Sequence, residues 1–307
     1  MISILFSTFN GEKTLPLMLN SLVKQREIDW AFFEIIIVNN NSIDLSSDII
    51  KSYSKKLPIK LLNEKKQGKN AALNTGLQHA RGDLIVLTDD DIIADQLWLK
   101  RYQAVSESYE YDIFGGVIEP FWIKQPPESL LKEIPINNAF ALTLGEKYKD
   151  GSINPCSIYG PNMAVRSHVF ESIKFNEDIG PAGNNYVMGS ETDFLSNAEK
   201  HGFKAFFSSK VKVSHIIDPS QFELIWLENR AFKAGRALIH DNLRNGKHQY
   251  VSTIIGFPKW TFKDILSHYL RYKINKYFKK HGGLYKSAWD LNFLLGFAYE
   301  YKNINQK

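Results

Sequence analysis

The chain has 307 residues, 44% of them hydrophobic and 23% charged, with a formal net charge of +5. That suffices for one large α/β domain with an appendage and excludes a disordered chain. A single cysteine, Cys156, excludes an intrachain disulfide framework and a multi-cysteine zinc site, and fits a reducing compartment.

No apolar run approaches the roughly 20 residues of a spanning helix. The first residues have no basic stretch, and Ser7-Thr8-Phe9-Asn10-Gly11 breaks their apolar run, so they are not read as a signal peptide. The expectation is a cytoplasmic protein. Charge is unevenly spread: residues 230–307 hold 15 Lys/Arg against 4 Asp/Glu, whereas residues 1–229 hold 23 against 29. A basic tail suits an anionic surface such as lipid headgroups, nucleic acid or a polyanion; the alternative is a solvated helical face.

In chain order, residues 2–6 read as a strand and 13–24 as a helix with Leu15, Met18, Leu19, Leu22 and Val23 on one face. Residues 33–38 are a continuous Ile-rich run, as a strand buried on both faces requires. Ser42 and Asp44 can cap the helix that follows, to about residue 56. A strand over 59–62, a helix over 70–80 and a strand over 84–87 complete an alternating α/β series with a mostly parallel sheet. Ligands of such sheets bind beyond the carboxyl ends of the strands. Three exits there carry polar clusters: residues 7–10, 39–42 and 89–91.

The second part is less regular. Strands are predicted over 113–118, 162–166, 204–207 and 211–215, and a loop or short helix over 124–134. Short helices follow over 167–173 and 191–201. Residues 145–155 and 180–189 read as loops. Beyond Pro219 the chain turns helical, over 219–245, 262–280 and 284–301.

Asp89-Asp90-Asp91 at a strand exit is the strongest local signal. Adjacent carboxylates repel unless exposed or neutralised, and a hard ion such as Mg²⁺ or Mn²⁺ would bind them and bridge to phosphate. The competing reading is an acidic turn with Asp91 capping a helix. His215, at another strand end, is either a structural histidine or a further ligand. Glu191 and Asp193 lie in the first turn of a predicted helix, where the dipole stabilises carboxylates and where one could also serve as a general base. Lys69 opens a helix in an anion-binding type of turn, or is surface.

Taken in order, Ile4 to Gly11, Phe33 to Asp44, Gly68-Lys69-Asn70-Ala71-Ala72-Leu73-Asn74-Thr75-Gly76 and Arg81 to Asp91 resemble the family 2 glycosyltransferases with a GT-A fold. Gly160-Pro161-Asn162-Met163-Ala164-Val165-Arg166, Gly189 to Phe194 and Val211 to His215 continue the likeness, which fades after Arg236. The resemblance implies a Rossmann-like sheet with flanking helices. It divides the chain into a GT-A domain over 1–218, with a nucleotide-sugar half to about 112 and an acceptor half beyond, and a basic, aromatic-rich helical region over 219–307.

Position by position, it implies that Thr8, Phe9, Asn10 and Glu12 hold the nucleotide base. Asn39 and Asn40 stand where the family usually has acids, which an amide matches only in part because it also donates. Lys69, Asp89 and Asp90 fall to the donor. Asp91, with Asp89 and His215, would hold the divalent metal ion, Mn²⁺ or Mg²⁺. Laid on the family's Gly-Glu-Asp-x-Asp, Ser190 takes the Glu position, Glu191 the Asp position and Asp193 the last; Glu191 is the expected base, with Asp193 behind it. The Gln-x-x-Arg-Trp motif of processive members has no counterpart, the nearest stretch being Glu228 to Phe232, which argues for one sugar per encounter. Arg230 and Arg236 are expected near the diphosphate.

The implied reaction is inverting transfer from a nucleotide-diphosphate sugar to a glycan or lipid-linked acceptor. Loops 149–154 and 179–187 are candidates for closure. Aromatic and basic residues interleave over 257–280, which suits an anionic membrane surface; packing with snorkelling lysines is the alternative. No nucleic acid partner is expected. The rival classes are a non-catalytic sugar-nucleotide or glycan-binding protein on the same fold, and a nucleotidyltransferase, whose Gly-rich N-terminal phosphate loop is missing.

Overall fold

The computed structural model describes residues 1–307 apart from 182–186, 245, 248–250, 279–282 and 306–307. The first regular elements are β1 (Ile2–Thr8), α1 (Leu15–Val23), β2 (Phe33–Asn39), α2 (Ser46–Tyr53), β3 (Ile59–Asn63), α3 (Lys69–Leu77), β4 (Leu84–Leu87), β5 (Ile92–Ala94) and α4 (Trp98–Ser108). There follow β6 (Ile113–Trp122), α5 (Glu128–Glu133), α6 (Ile136–Phe140), β7 (Gly151–Ile153), β8 (Met163–Arg166), α7 (Val169–Ser172), α8 (Ser190–Lys200) and β9 (Ala205–Ile217). The last are α9 (Leu224–Arg244), β10 (Thr253–Ile254), β11 (Phe257–Pro258), α10 (Lys259–Tyr277) and α11 (Leu284–Asn305).

They form two compact units. The first comprises residues 1–121, 141–185 and 190–216; the second comprises 122–140, 186–189 and 217–307.

The first unit is built on one sheet in the order β3-β2-β1-β4-β8-β6-β9-β5, with β7 also paired to β9. The four strands from the alternating half run parallel. β8 joins β4 antiparallel, and β5 and β7 run antiparallel to β9. β2 is buried along its whole length, as its unbroken apolar run requires. The second half departs from the sequence reading in its strands: the two short strands expected over 204–207 and 211–215 are one strand of 13 residues. Ser208-Ser209-Lys210 stays extended, and ladder partners at either end, Phe207 with Gly151 and Val213 with Ala94, hold it so. β7 likewise occupies part of the segment read as a polar loop.

Asn162 ties this half together. Fully buried, its Oδ1 accepts from Trp98 Nε1 at 2.9 Å and from the Tyr102 hydroxyl at 2.8 Å, while its Nδ2 donates to the carbonyls of Val117 at 2.9 Å and Val211 at 3.2 Å. Every hydrogen-bonding site of the amide is thereby used. Asn162→Asp would set a carboxylate against two carbonyl oxygens without water. It is expected to cost about 3 kcal/mol or more, read as a lower midpoint in urea unfolding.

In the second unit, Trp122 and Phe140 join Phe222 and Trp226 in an aromatic cluster, with Phe140 stacked on Trp226 at 5.7 Å between centroids. That cluster is why residues 122–140 group with the C-terminal helices. α9 and α11 touch through their backbones: a Cβ on Gly235 would stand 1.9 Å from the Phe293 carbonyl oxygen, and one on Gly296 1.9 Å from that of Phe232. Beside this crossing Arg236 Nε meets Glu300 Oε2 at 2.6 Å, and His240 Nε2 lies 2.9 Å from Glu300 Oε1.

Burial works to raise the Glu300 pKa, but its bonds to His240 and Arg236 outweigh that and hold the carboxyl below its ordinary value of 4.5. The ionised Glu300 therefore contributes its full stabilisation above pH 4.5, and that contribution is lost as pH falls through the depressed value. Glu300→Gln, which leaves Arg236 buried beside a neutral amide, is expected to cost about 3 kcal/mol at pH 7. Its thermal melts should also depend less on pH below 4.5 than those of the parent.

Candidate active site

A cleft of about 640 Å³ opens in the first unit at the carboxyl ends of the parallel strands, lined by Ser7, Thr8, Phe9, Asn40, Gln67, Lys69, Asp89, Asp90, Asp91 and Pro181. β1 delivers the first three of these, β2 Asn40, the start of α3 Lys69, and the exit of β4 the three aspartates. The polar clusters at the three strand exits thus meet at one place.

The rim is held by side chains that look outward in sequence yet bond to neighbouring loops. Asn10, at φ 55°, accepts from Ile43 N at 2.9 Å, while its own N donates to Ser42 Oγ at 3.0 Å. Glu12 Oε2 accepts from Leu45 N at 3.2 Å, at the start of α2. Asn39 Nδ2 donates to Ser47 Oγ at 2.9 Å, and its Oδ1 accepts from Ser42 N. These three do not line the cleft.

Asn40 does line it, but its amide is committed. Nδ2 donates to the carbonyls of Glu64 at 2.9 Å and Lys66 at 2.7 Å, and Oδ1 accepts from Gly68 N at 2.7 Å. A carboxylate could not donate to those carbonyls, so an amide here fixes the 64–68 loop that carries Gln67 and Lys69. Phe9 is 53% exposed, and its ring is a surface on which a planar base can stack.

Among the described residues the floor is acidic with one cation, Lys69. Lys69 Nζ lies 2.6 Å from Asp89 Oδ1 and 2.8 Å from Glu191 Oε1. Burial opposes its charge, but the two carboxylates outweigh that and hold the ammonium above its ordinary pKa. Burial raises the Asp89 carboxyl despite Lys69. Burial also pushes Asp90 up to about 7, aided by the charge of Asp91, although Thr8 Oγ1 bonds Asp90 Oδ2. Gly11 permits that bond, since a Cβ there would lie 2.5 Å from both oxygens.

Asp91 is different. Burial works against its charge, yet His215, whose Nε2 lies 3.2 Å from Asp91 Oδ2, holds the carboxyl below its usual range. Its other oxygen, Oδ1, is buried with no hydrogen-bond partner among the described residues. The short strand β5 makes the pairing: Ile92 sits opposite His215, and Ile216 N donates to the Asp91 carbonyl at 2.8 Å. An unpartnered buried carboxylate oxygen beside an imidazole is a donor set that fits a hard divalent cation. Among the described residues, no three His, Cys, Asp or Glu side chains stand close enough to form a complete protein cage.

Glu191, half-buried on the first turn of α8, reaches Lys69, whereas Asp193 is buried. Ser190, at the position where the resemblance expects an acid, is buried and bonds Asn70 Oδ1. Asn70 in turn donates to the carbonyls of Asn176 and Ile179. Arg230 and Arg236 belong to the second unit: Arg230 Nε donates to the Ala139 carbonyl at 3.0 Å, and Arg236 is taken by Glu300. Arg236, expected near the diphosphate, stands in a buried ion pair with Glu300. Of the two loops proposed to close, 149–154 contains β7 and is tied into the sheet, and 182–186 of the other lie outside the described residues. Ser7 belongs to the first polar strand exit and Gln67 to the turn that carries Lys69, whereas Pro181 has no signal in the sequence and joins the lining through its carbonyl, which accepts from Lys69 N at 2.9 Å.

Comparison with known proteins agrees with this architecture. Glycosyltransferase AglE of Haloferax volcanii is 24% identical over 221 residues, 71% of this chain and 67% of that protein. Dolichyl-phosphate beta-glucosyltransferase ALG5A of Trichomonas vaginalis is 39% identical over 97 residues, covering 29% of this chain and 30% of that protein. The chain therefore matches about two thirds of the first relative's length and under a third of the second's. Among solved structures, the mannosyltransferase PcManGT of Pyrobaculum calidifontis, in complex with GDP-Man and Mn²⁺, superposes with a TM-score of 0.61 at 16% identity, covering 100% of this chain and 87% of that one. That likeness shows the fold, GT-A, and no more. The sequence profile described as Glycosyl transferase family 2 matches residues 3–172. With more than half its length so matched, the chain belongs to glycosyl transferase family 2.

Proposed function

We propose that this family 2 glycosyltransferase transfers a single sugar, with inversion and with a divalent metal ion, from a nucleotide-diphosphate sugar to a hydroxyl of a glycan or lipid-linked acceptor at the cytoplasmic face of a membrane. One observation carries the reading: Asp89 and Glu191 share the Lys69 ammonium, at 2.6 and 2.8 Å, in the cleft that also holds the unpartnered Asp91 oxygen. Donor-side and acceptor-side carboxylates thus converge on one point.

The chemistry is displacement at an anomeric carbon. Glu191 takes the proton of the acceptor hydroxyl as its oxygen bonds to that carbon. On the opposite face the bond to the diphosphate oxygen breaks and its electron pair leaves with the nucleotide. A divalent ion held by Asp91, with Asp89 and His215 beside it, would supply Lewis acidity for the charge that develops there. Lys69, bonded to both Asp89 and Glu191, offers a second positive group between the two carboxylates. Phe9 and Thr8 would hold the base.

PcManGT, bound to GDP-Man and Mn²⁺, supports a metal-assisted nucleotide-sugar donor. The name of ALG5A supports a lipid phosphate acceptor. No helix among the described residues is long and apolar enough to cross a membrane, so contact with one would be peripheral.

The test is to incubate the chain with UDP-, GDP- and dTDP-sugars, Mn²⁺ or Mg²⁺ and a polyprenyl phosphate, following released nucleoside diphosphate and the anomeric configuration of the product. Metal-dependent release from one donor with an inverted product is expected. Donor binding with no release under any metal and acceptor combination would leave the binding-protein reading in its place.

A further inference from the structure

The second unit carries an apolar surface that its own fold leaves open. A groove of about 430 Å³ runs between α10 and α11, walled by Phe257, Phe262, Ile265, Leu266, Tyr269 and Leu295. From its wall outward, Phe262, Leu266, Leu270 and Tyr277 recur on one side of α10 at spacings of four, four and seven, and all are exposed. Exposed apolar area on this scale marks an interaction site.

The hairpin preceding α10 points the same way. β10 and β11 pair across a two-residue turn, Ile255-Gly256, with φ of 54° and 83°. Such turns favour Asn, Asp or Gly, and a β-branched residue in left-handed conformation is strained. Here the strained residue is also 79% exposed. Strain and exposure together raise the cost of keeping an isoleucine at the tip, and neither is repaid by packing within the chain.

Charge identifies what would cover this face. Lys259, Lys263, Arg271 and Lys273 lie on α10 against a single acid, Asp264. Lys302 stands over the Phe257 ring at 4.7 Å at one end of the groove, and Lys273 over the Tyr269 ring at 5.4 Å at the other. Rings at an interface with lysines beside them match the boundary between headgroups and acyl chains. A second copy of the chain would set one basic face against another across a two-fold axis.

We propose that the β10–β11 tip, the exposed side of α10 and the groove between α10 and α11 form a docking surface for an anionic phospholipid bilayer. Ile255 enters the acyl region, the groove receives an acyl chain, and Lys259, Lys263, Lys273 and Lys302 meet headgroup phosphates. The proposal deepens the peripheral-membrane reading above and rests on it, but it is tested without turnover.

The experiment is co-sedimentation of the full chain with phosphatidylcholine vesicles, with and without phosphatidylglycerol, across a salt series, beside a donor-turnover assay in solution. The expected result is binding that needs phosphatidylglycerol, weakens with salt, and falls about tenfold in Ile255→Asp and in Lys263→Glu/Lys273→Glu. Ile255→Gly relieves the strained turn, so it should melt no lower than the parent and still bind vesicles more weakly, which a purely structural role for Ile255 would not produce. Equal affinity for neutral vesicles, indifference to all three variants, a stable dimer that ignores vesicles, or tighter binding to RNA than to vesicles would each overturn the proposal. Turnover lost with vesicle binding intact would count against the transferase reading alone, and vesicle binding lost with turnover intact against the docking surface alone.

Discussion

Asp91→Asn is expected to lower metal-dependent donor turnover by roughly a thousandfold, equivalent to about 4 kcal/mol of transition-state stabilisation. The substitution keeps the shape of the side chain and a carbonyl oxygen near His215, so the melting temperature should move little. What it removes is the charge on a buried group whose Oδ1 has no partner among the described residues. Two readouts distinguish this from general damage: the Mn²⁺ concentration for half-maximal turnover should rise steeply, and nucleotide affinity without metal should be nearly unchanged. Turnover within threefold of the parent at saturating metal would remove Asp91 from the site.

Glu191→Gln should cost between a hundred- and ten-thousandfold in kcat with little change in donor KM, because general-base assistance of that size is lost while donor contacts persist. The amide oxygen can still accept from Lys69 Nζ, now 2.8 Å from Glu191 Oε1, so the geometry of the ammonium and Asp89 is retained. Gly160 packs against this side chain closely enough that a Cβ would lie 2.6 Å from Oε1, which restricts where the carboxylate can point. A parallel fall in donor affinity would mean that Glu191 serves chiefly to position Lys69. Unchanged kcat would exclude it as the base.

Much of the first half was legible because each parallel strand is an unbroken apolar run between polar turns, and burial on both faces demands that pattern. Asp89, Asp91 and Lys69 were legible for the same reason, standing at element boundaries where such sheets bind ligands. What escaped was set by tertiary pairing. β5 and β7 are three residues each, too short to show a period, and they exist because β9 offers them a ladder. Asn39, Asn40, Asn10 and Glu12 could be marked as polar residues near the cleft, but nothing local shows that their side chains are consumed by the loops around it. Arg236 has the same difficulty: its partner Glu300 is distant in sequence, on another helix.

The close approach of Gly235 to the Phe293 backbone, and of Gly296 to that of Phe232, separates two roles within the helical unit. Two helices meeting backbone to backbone close the chain on itself, and everything from the end of α9 to the start of α11 hangs from that closure as an excursion. The entropy of such a loop rises only with the logarithm of its length. Residues can therefore be exchanged on the exposed side of α10 and its hairpin at little cost to the pair that anchors it, whereas the inner side, with Tyr272 buried beside Ala288 and Leu291, is held to α11. Substituting either glycine forces the anchoring pair apart. The unit thus has a part free to diversify as surfaces and acceptors change, and a part that is not.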